Sequence, residues 1–413
     1  MIIEFKENKP FIEGVNLEDI YKSQATPFYV YSQKKITETY NSLKKALNSE
    51  IFFAIKANSN QAILKLMKNL GAGADVVSTG ELIRSLKAGF NPDKIIFEGV
   101  GKSKKDIEYA AKNKIRLINV ESINELKLIN TVGRDLDEKI NIGIRLNPDI
   151  NGQTLDKIST GKKTDKFGIS INKLTEIILI IKSCTYINLK GISCHIGSQI
   201  SDISIFEKIF KTMKDAAENI MNNEIDIEYV DLGGGLSVNY REDNNKFDTI
   251  ALGKLADSFF SDAPYTISFE PGRYLIAKAG IIITKILTSK ENGGLNYLIT
   301  DAGMQTLIRP AMYGEYHKIK PLNKNGREEI YTIAGPICES SDILAKNIYL
   351  PKQEIDNYLA ICDVGAYGSV MASNYNSRGL PNEILINQSK FCVINKQDNI
   401  YDIIKKEKIP NWL

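Results

Sequence analysis

Along the first two thirds of the chain, short apolar runs rich in Val, Ile and Phe alternate with longer stretches whose apolar positions recur every three or four residues. The short runs read as strands covered on both faces, and the longer stretches as amphipathic helices. After a lead-in strand, PFYVYS (27–32), eight strand-like runs follow: IFFAIK (51–56), ADVVS (74–78), KIIFEG (94–99), IRLINV (115–120), INIGIRL (ending at 146), LKGISCHI (189–196), IEYVDLG (227–233) and YTISFE (265–270). Between them, segments such as QAILKLMKNLG and ELIRSLKAGF close their helical periodicity at glycine, a helix C-cap signal. Eight strand–helix repeats in about 250 residues predict a TIM-type (β/α)8 barrel. A doubly wound sheet would carry a glycine-rich turn after its first strand, whereas IFFAIK runs into ANSNQ.

Beyond Glu270 the texture changes. IIITKILTS, NYLITDAG, EEIYTIAG, YLAICDVGAYG and EILINQ are β-rich, punctuated by Gly, Pro and Asn, and show little helical periodicity. The expected organisation is therefore α/β, with a barrel over residues 26–275 and a C-terminal β domain over 276–413. Residues 1–25 should join the β domain, because MIIEF and PFIEG read as edge strands.

Composition narrows the class without changing this picture. With 413 residues, 43% apolar and 25% charged, the chain is an ordinary globular sequence. Its 53 basic and 50 acidic residues are dispersed, so no nucleic-acid footprint is expected. No apolar run approaches the roughly 18 residues of a membrane span. Five cysteines lie scattered without a CxxC pair and no secretory segment opens the chain, which predicts reduced thiols and a cytoplasmic location. Cys184, Cys194, Cys362 and Cys392 sit in apolar runs and read as core residues; His317 reads as structural or solvent-facing. No metal site is expected.

In a TIM-type barrel the chemistry gathers where the strands end. Those ends carry Lys56, Arg145 with Asn147, His195, the Gly233–Gly234–Gly235 turn, and Glu270-Pro271-Gly272-Arg273. Singly, each has an ordinary structural explanation. Together they complement pyridoxal 5'-phosphate (PLP), which requires a lysine amine, N–H donors for its phosphate, a carboxylate at the pyridine nitrogen and a flat group over the ring. Lys56, the glycine turn, Glu270 and His195 are residues of those four types.

The same motifs identify a resemblance. FIEGVNLEDI, TPFYVYS, FFAIKANSN, GADVVSTGEL, KFGI, CHIGSQI, DLGGGL, EPGR, GPICESSDILA and DVGAYGSVMASNYNSR make nearly the whole chain resemble the fold-type III PLP decarboxylases, and among them the branch acting on diaminopimelate. The resemblance implies an alanine racemase-like barrel plus β domain and a homodimer with shared active sites. It implies that Lys56 holds PLP, His195 stacks on the ring, Ser198 and Gly233–Gly235 lie at the phosphate, and Glu270 faces the ring nitrogen, with Gly272 and Arg273 also at the cofactor. Arg273, Arg309 and Tyr313 would clamp substrate carboxylate, Glu339 would take a distal amino group, and Tyr367 would touch cofactor and substrate. Cys338 would return a proton to the substrate, it and Glu339 reaching in from the partner subunit. Ser237 departs from the glycine many members carry there, and still offers a backbone N–H.

Two arginines and a glutamate suit a distal end bearing both carboxylate and ammonium, because guanidinium pairs bidentately with carboxylate. Meso-diaminopimelate has such an end, and loss of its D-centre carboxylate gives L-lysine, the last step of lysine biosynthesis. The alternative is decarboxylation of ornithine, lysine or arginine on the same fold. The segment KKTDKFG, within 157–168, is expected to loop over the site.

Overall fold

A computed structural model describes residues 2–152, 160–241, 246–323 and 326–413. The chain divides into two compact units: Thr39–Val238 with Asn245–Leu275, and Met1–Glu38 with Asn239–Asn244 and Ile276–Leu413.

The first unit is a closed parallel barrel. Its strands are β1 (Glu50–Ala54), β2 (Gly73–Val76), β3 (Ile95–Phe97), β4 (Leu117–Val120), β5 (Ile140–Asn147), β6 (Ile187–Ser193), β7 (Tyr229–Asp231) and β8 (Thr266–Phe269). Each pairs in parallel with the next, and β8 returns to β1 through Ser268 and Phe269. All eight expected runs are present. The helices between them start and stop on local chemistry. Asn60, Ser78 and Ser122 accept backbone N–H groups at N-termini, and Gly71 and Gly89 close C-termini at φ +96° and +90°.

Aromatic and apolar side chains seal one end of the barrel. Phe52, Ile96 and Leu117 cluster there with Tyr229, and the Arg116 guanidinium lies 5.1 Å from the Phe52 ring centre and 4.7 Å from that of Tyr229 while bonding Glu50. The strand C-termini form the opposite rim.

In the second unit, Gly280–Asn292 organises the sheet. Its first half pairs with Phe28–Ser32 and Tyr358–Cys362, and its second half forms a hairpin with Leu295–Thr300. The two-residue turn, Gly293-Gly294, has φ +61° and +79°, which glycine adopts without strain. Phe28, Val30, Ile281, Ile283, Cys362, Ile384 and Ile386 form the core with Leu17 and Ile20. The N-terminal strands Glu4–Lys6, Lys9–Ile12 and Val15–Asn16 form a small sheet in this unit.

Two expectations change. The strand Phe28–Ser32, expected to open the barrel domain at residue 26, instead pairs with Gly280–Asn292 and Asn382–Asn387, so the unit boundary falls at Glu38/Thr39. Cys392 is exposed on the outer strand Lys390–Asn395, and Cys184 is only partly buried; Cys194 and Cys362 are core residues. His317 is buried, with Nδ1 3.0 Å from the Cys362 carbonyl oxygen. Among the described residues, no helix is long and apolar enough to cross a membrane.

Candidate active site

Lys56 follows β1 in a single 3-10 turn, and its Nζ lies 2.8 Å from Asp75 Oδ2 on the neighbouring strand β2. Asp75 has no exposed surface, and its second oxygen is buried with no hydrogen-bond partner. Around the same rim Arg145 on β5 bonds Glu121 at 2.8 Å and Glu98 at 3.4 Å. Glu98 also accepts from Ser193 at 3.1 Å and from Asn119. Asp231, at the end of β7, accepts from Ser268 Oγ at 2.5 Å and from the Gly233 N–H at 2.7 Å.

Glu270 completes this ring one residue past β8. It is buried, and its Oε1 has no hydrogen-bond partner. Its pKa is pushed well above the usual carboxylate range, first by burial and then by the charges of Asp231, Asp75 and Glu98, which outweigh Lys56. Burial likewise raises Asp75, and it raises Asp231 to about 7. The buried carboxylates Asp75, Glu98, Glu121, Asp231 and Glu270 thus share a rim with Lys56, Arg145 and Arg273. An orphaned carboxylate oxygen in an electronegative, desolvated setting fits a ligand that presents a cationic N–H.

His195 lies two residues past β6. Its Nδ1 accepts the Gly234 N–H at 3.1 Å, so the neutral ring carries its proton on Nε2. Burial first, then the charges of Lys56 and Arg145, holds its pKa well below the ordinary histidine value. The ring is therefore an uncharged plane at neutral pH.

The three glycines are required by close approach. A Cβ on Gly233 would lie 2.3 Å from the Cys194 carbonyl oxygen, one on Gly234 2.3 Å from that of Glu270, and one on Gly235 2.5 Å from that of Gly197. Gly233 and Gly235 also have φ +70° and +84°. Two of their N–H groups are already engaged, Gly233 by Asp231 and Gly234 by His195. An anion at this turn would therefore draw on Ser198, the Gly235 N–H and Arg273, whose Nε donates to Ser198 Oγ at 3.1 Å. Gly272 lets this segment pack against Ala54 and Ala57, which a Cβ would meet at 2.9 and 3.0 Å.

Of the expected loop, residues 157–159 lie outside the described residues. The remainder is tied down: Thr160 Oγ1 donates to the His195 carbonyl oxygen at 2.7 Å, Asn147 Nδ2 donates to the carbonyl oxygens of Lys162 and Phe167, and the Gly168 N–H donates to Glu121.

The other expected residues lie in the second unit. Arg309 is 1% exposed; its guanidinium sits 5.4 Å from the Tyr240 ring centre and 3.1 Å from a Glu315 oxygen, while its Nε has no hydrogen-bond partner. Its Nη1 reaches the Ala366 carbonyl oxygen at 3.5 Å, next to Tyr367, which is held at φ +56°. Tyr313 ends the short helix Arg309–Tyr313 and is half-buried. Cys338 and Glu339 are exposed, and Glu339 accepts from Ser341 at 3.2 Å and from Tyr375. Sequence reasoning did not single out Asp75, Glu98, Glu121, Asp231 or Ser268. The available signal was a polar residue interrupting each apolar strand or standing one position past it.

Residues 33–277 match the family described as pyridoxal-dependent decarboxylase, pyridoxal binding domain. A diaminopimelate decarboxylase of Aquifex aeolicus is 37% identical over 404 residues, 97% of this chain and 96% of that protein. One from Helicobacter pylori strain J99 is 40% identical over 400 residues, 95% of this chain and 98% of the other. The crystal structure of the M. jannaschii diaminopimelate decarboxylase in co-complex with L-lysine matches with TM-score 0.95 at 36% identity, covering 100% of this chain and 98% of that one.

Proposed function

The chain belongs to the pyridoxal-dependent decarboxylases, and from that premise we propose that it releases CO2 from the D-centre of meso-2,6-diaminopimelate to give L-lysine, the last step of lysine biosynthesis. The observation that carries the reading is the presence on one barrel rim of Lys56, ion-paired with Asp75, and of a buried Glu270 whose Oε1 has no hydrogen-bond partner. When bound, PLP supplies a protonated ring that takes up the electron pair left at Cα as CO2 departs.

Each residue has a distinct task in this reading. Lys56 would hold the cofactor through its amine, and Asp75 would hold the lysine ammonium whenever it is not bonded to the cofactor. Glu270, whose Oε1 has no hydrogen-bond partner, would accept the ring N–H and so favour the protonated ring. The neutral imidazole of His195 would offer a flat face to the ring without adding a competing charge. Ser198, Gly235 and Arg273 bind the phosphate end, with Gly233 and Gly234 shaping the turn and Gly272 its packing. Arg309, assisted by Tyr313 and Arg273, clamps carboxylate; Glu339 takes the distal ammonium; Tyr367 lines the site. Cys338 returns the proton to Cα.

Cys338 and Glu339 are exposed on this chain, which supports a homodimer in which they serve the neighbour's Lys56. The β unit then completes the active site and forms the dimer interface. A biosynthetic role and five free cysteines favour the cytoplasm. Incubation of the PLP-loaded protein with diaminopimelate, ornithine, lysine and arginine in turn tests the reading. Lysine released from diaminopimelate is expected; putrescine, cadaverine or agmatine as the main product would replace it with the alternative.

A further inference from the structure

His195, the glycine turn and Glu270 belong to three different strand ends, yet backbone bonds tie them together. The Cys194 N–H donates to the Asp231 carbonyl oxygen at 3.1 Å, the Leu232 N–H to that of Ser268 at 2.9 Å, and the Glu270 N–H to that of Gly233 at 2.8 Å. At the centre of these bonds is Asp231, 3% exposed. A carboxylate in such a place is costly unless its oxygens are satisfied. One oxygen takes the N–H of Gly233, two residues on, as aspartate does in an Asx-turn; the other takes the hydroxyl of Ser268, also 3% exposed.

The turn has a consequence one residue further along. With Gly233 held at φ +70° by Asp231, the next N–H, that of Gly234, meets His195 Nδ1 at 3.1 Å. A donor at Nδ1 places the imidazole proton on Nε2 and fixes the plane of the ring. Freed from Asp231, the Gly233 peptide would have other conformations available, since glycine restricts φ little.

We propose that Asp231, seated on Ser268, is a positioning residue that sets the tautomer and orientation of His195 through the glycine turn. Both oxygens of Asp231 are engaged within the protein, by the Gly233 N–H and the Ser268 hydroxyl, so its action runs through the turn. The inference rests on the reading of His195 as the ring-stacking residue only for its catalytic meaning; the tautomer is observable without turnover.

The sequence contains two histidines, His195 and His317, so nitrogen NMR of holoenzyme labelled in histidine reports both rings, with His317 as internal control. At neutral pH, His195 in the unaltered protein should show a bare Nδ1 and a protonated Nε2. Asp231→Ala should shift His195 toward mixed tautomers while leaving His317 unmoved, and should lower kcat at least tenfold with a smaller change in KM. Asp231→Asn keeps an acceptor for the Gly233 N–H and should restore the single tautomer. Should Asp231→Ala fail to fold, Ser268→Ala, which removes one support of the carboxylate, is expected to broaden or shift the His195 signals alone. Unchanged His195 signals in Asp231→Ala, or in Ser268→Ala where that variant stands in for it, overturn the proposal. Altered signals with decarboxylation unaffected would retain the positioning role and remove His195 from the chemistry.

Discussion

Lys56 and Asp75 form an ion pair 2.8 Å long between the end of β1 and strand β2; the lysine side chain is 36% exposed and the carboxylate 0%. The charge that must stay fixed is buried, and the group that must exchange partners is accessible. In the proposed chemistry Lys56 gives up and regains a carbon partner, a role that this asymmetry suits.

Lys56→Ala is expected to abolish borohydride-stable attachment of the cofactor, read by mass spectrometry of the reduced protein. Asp75→Asn should keep the attachment and lower kcat. A hydrogen bond to a charged group contributes about 1.5–3 kcal/mol, which corresponds to roughly ten- to hundredfold. A cofactor still trapped on the Lys56→Ala protein would remove Lys56 from its role, and an Asp75→Asn enzyme of full activity would reduce the ion pair to packing.

The barrel was legible because a strand covered on both faces is an unbroken apolar run, and eight of them separated by capped helices admit few topologies. Strand identity was not equally legible. Phe28–Ser32 is apolar and wholly buried, and nothing local says that its partners are Gly280–Asn292 and Asn382–Asn387, more than 240 residues away. The rim followed the same division. Lys56, His195 and Glu270 announced themselves as strand-end residues, whereas Asp75 and Asp231 are single acids in apolar runs, and only the closed barrel brings their charges into one desolvated ring. The glycine turn looked like a phosphate cradle, yet two of its N–H groups serve Asp231 and His195.

The cofactor-free protein should gain stability as pH falls from about 7 toward 5. Asp231 is raised from 3.8 to about 7 and Glu81 from 4.5 to about 7, both first by burial, and Glu270 is raised well above its ordinary value as well. In that window the folded chain holds protons that the unfolded chain has released, so the stabilisation is present at low pH and lost as pH rises through the folded pKa. His195 opposes this: its depressed pKa means the unfolded ring gains a proton below 6.5 that the folded ring refuses. Three acids, Asp231, Glu81 and Glu270, outweigh one base. Bound PLP should flatten the slope, because a cationic ring lets Glu270 ionise. Thermal melts of apo and loaded protein across this range check both signs; an apo Tm that rises with pH would contradict the charge assignment.

Arg309→Lys should lower kcat/KM for diaminopimelate about ten- to hundredfold while leaving the cofactor's absorbance unchanged, since an ammonium cannot reproduce the planar fork that pairs with carboxylate. Arg309 is 1% exposed with an unpartnered Nε, so the site is already shaped for a second hydrogen-bonding group. An unchanged kcat/KM would take Arg309 out of substrate binding. A changed absorbance would assign it to the cofactor instead.

The proposed sharing of active sites between subunits makes a quantitative prediction about mixtures. Lys56→Ala and Cys338→Ala should each be nearly inactive as homodimers, the first lacking the amine and the second the acid. If Cys338 serves the neighbour's Lys56, a heterodimer of the two variants contains one site with both residues intact and one with neither. Random reassortment of equal amounts makes half of the dimers mixed, so roughly a quarter of the unaltered activity should return. Were both residues to act within one chain, each site in the mixed dimer would still lack one group, and no activity would return. Unfolding is not needed for the exchange; dilution and reconcentration of the two folded variants, with activity followed over time, distinguishes the outcomes. Recovery that rises with subunit exchange and levels off near a quarter makes the dimer the catalytic unit.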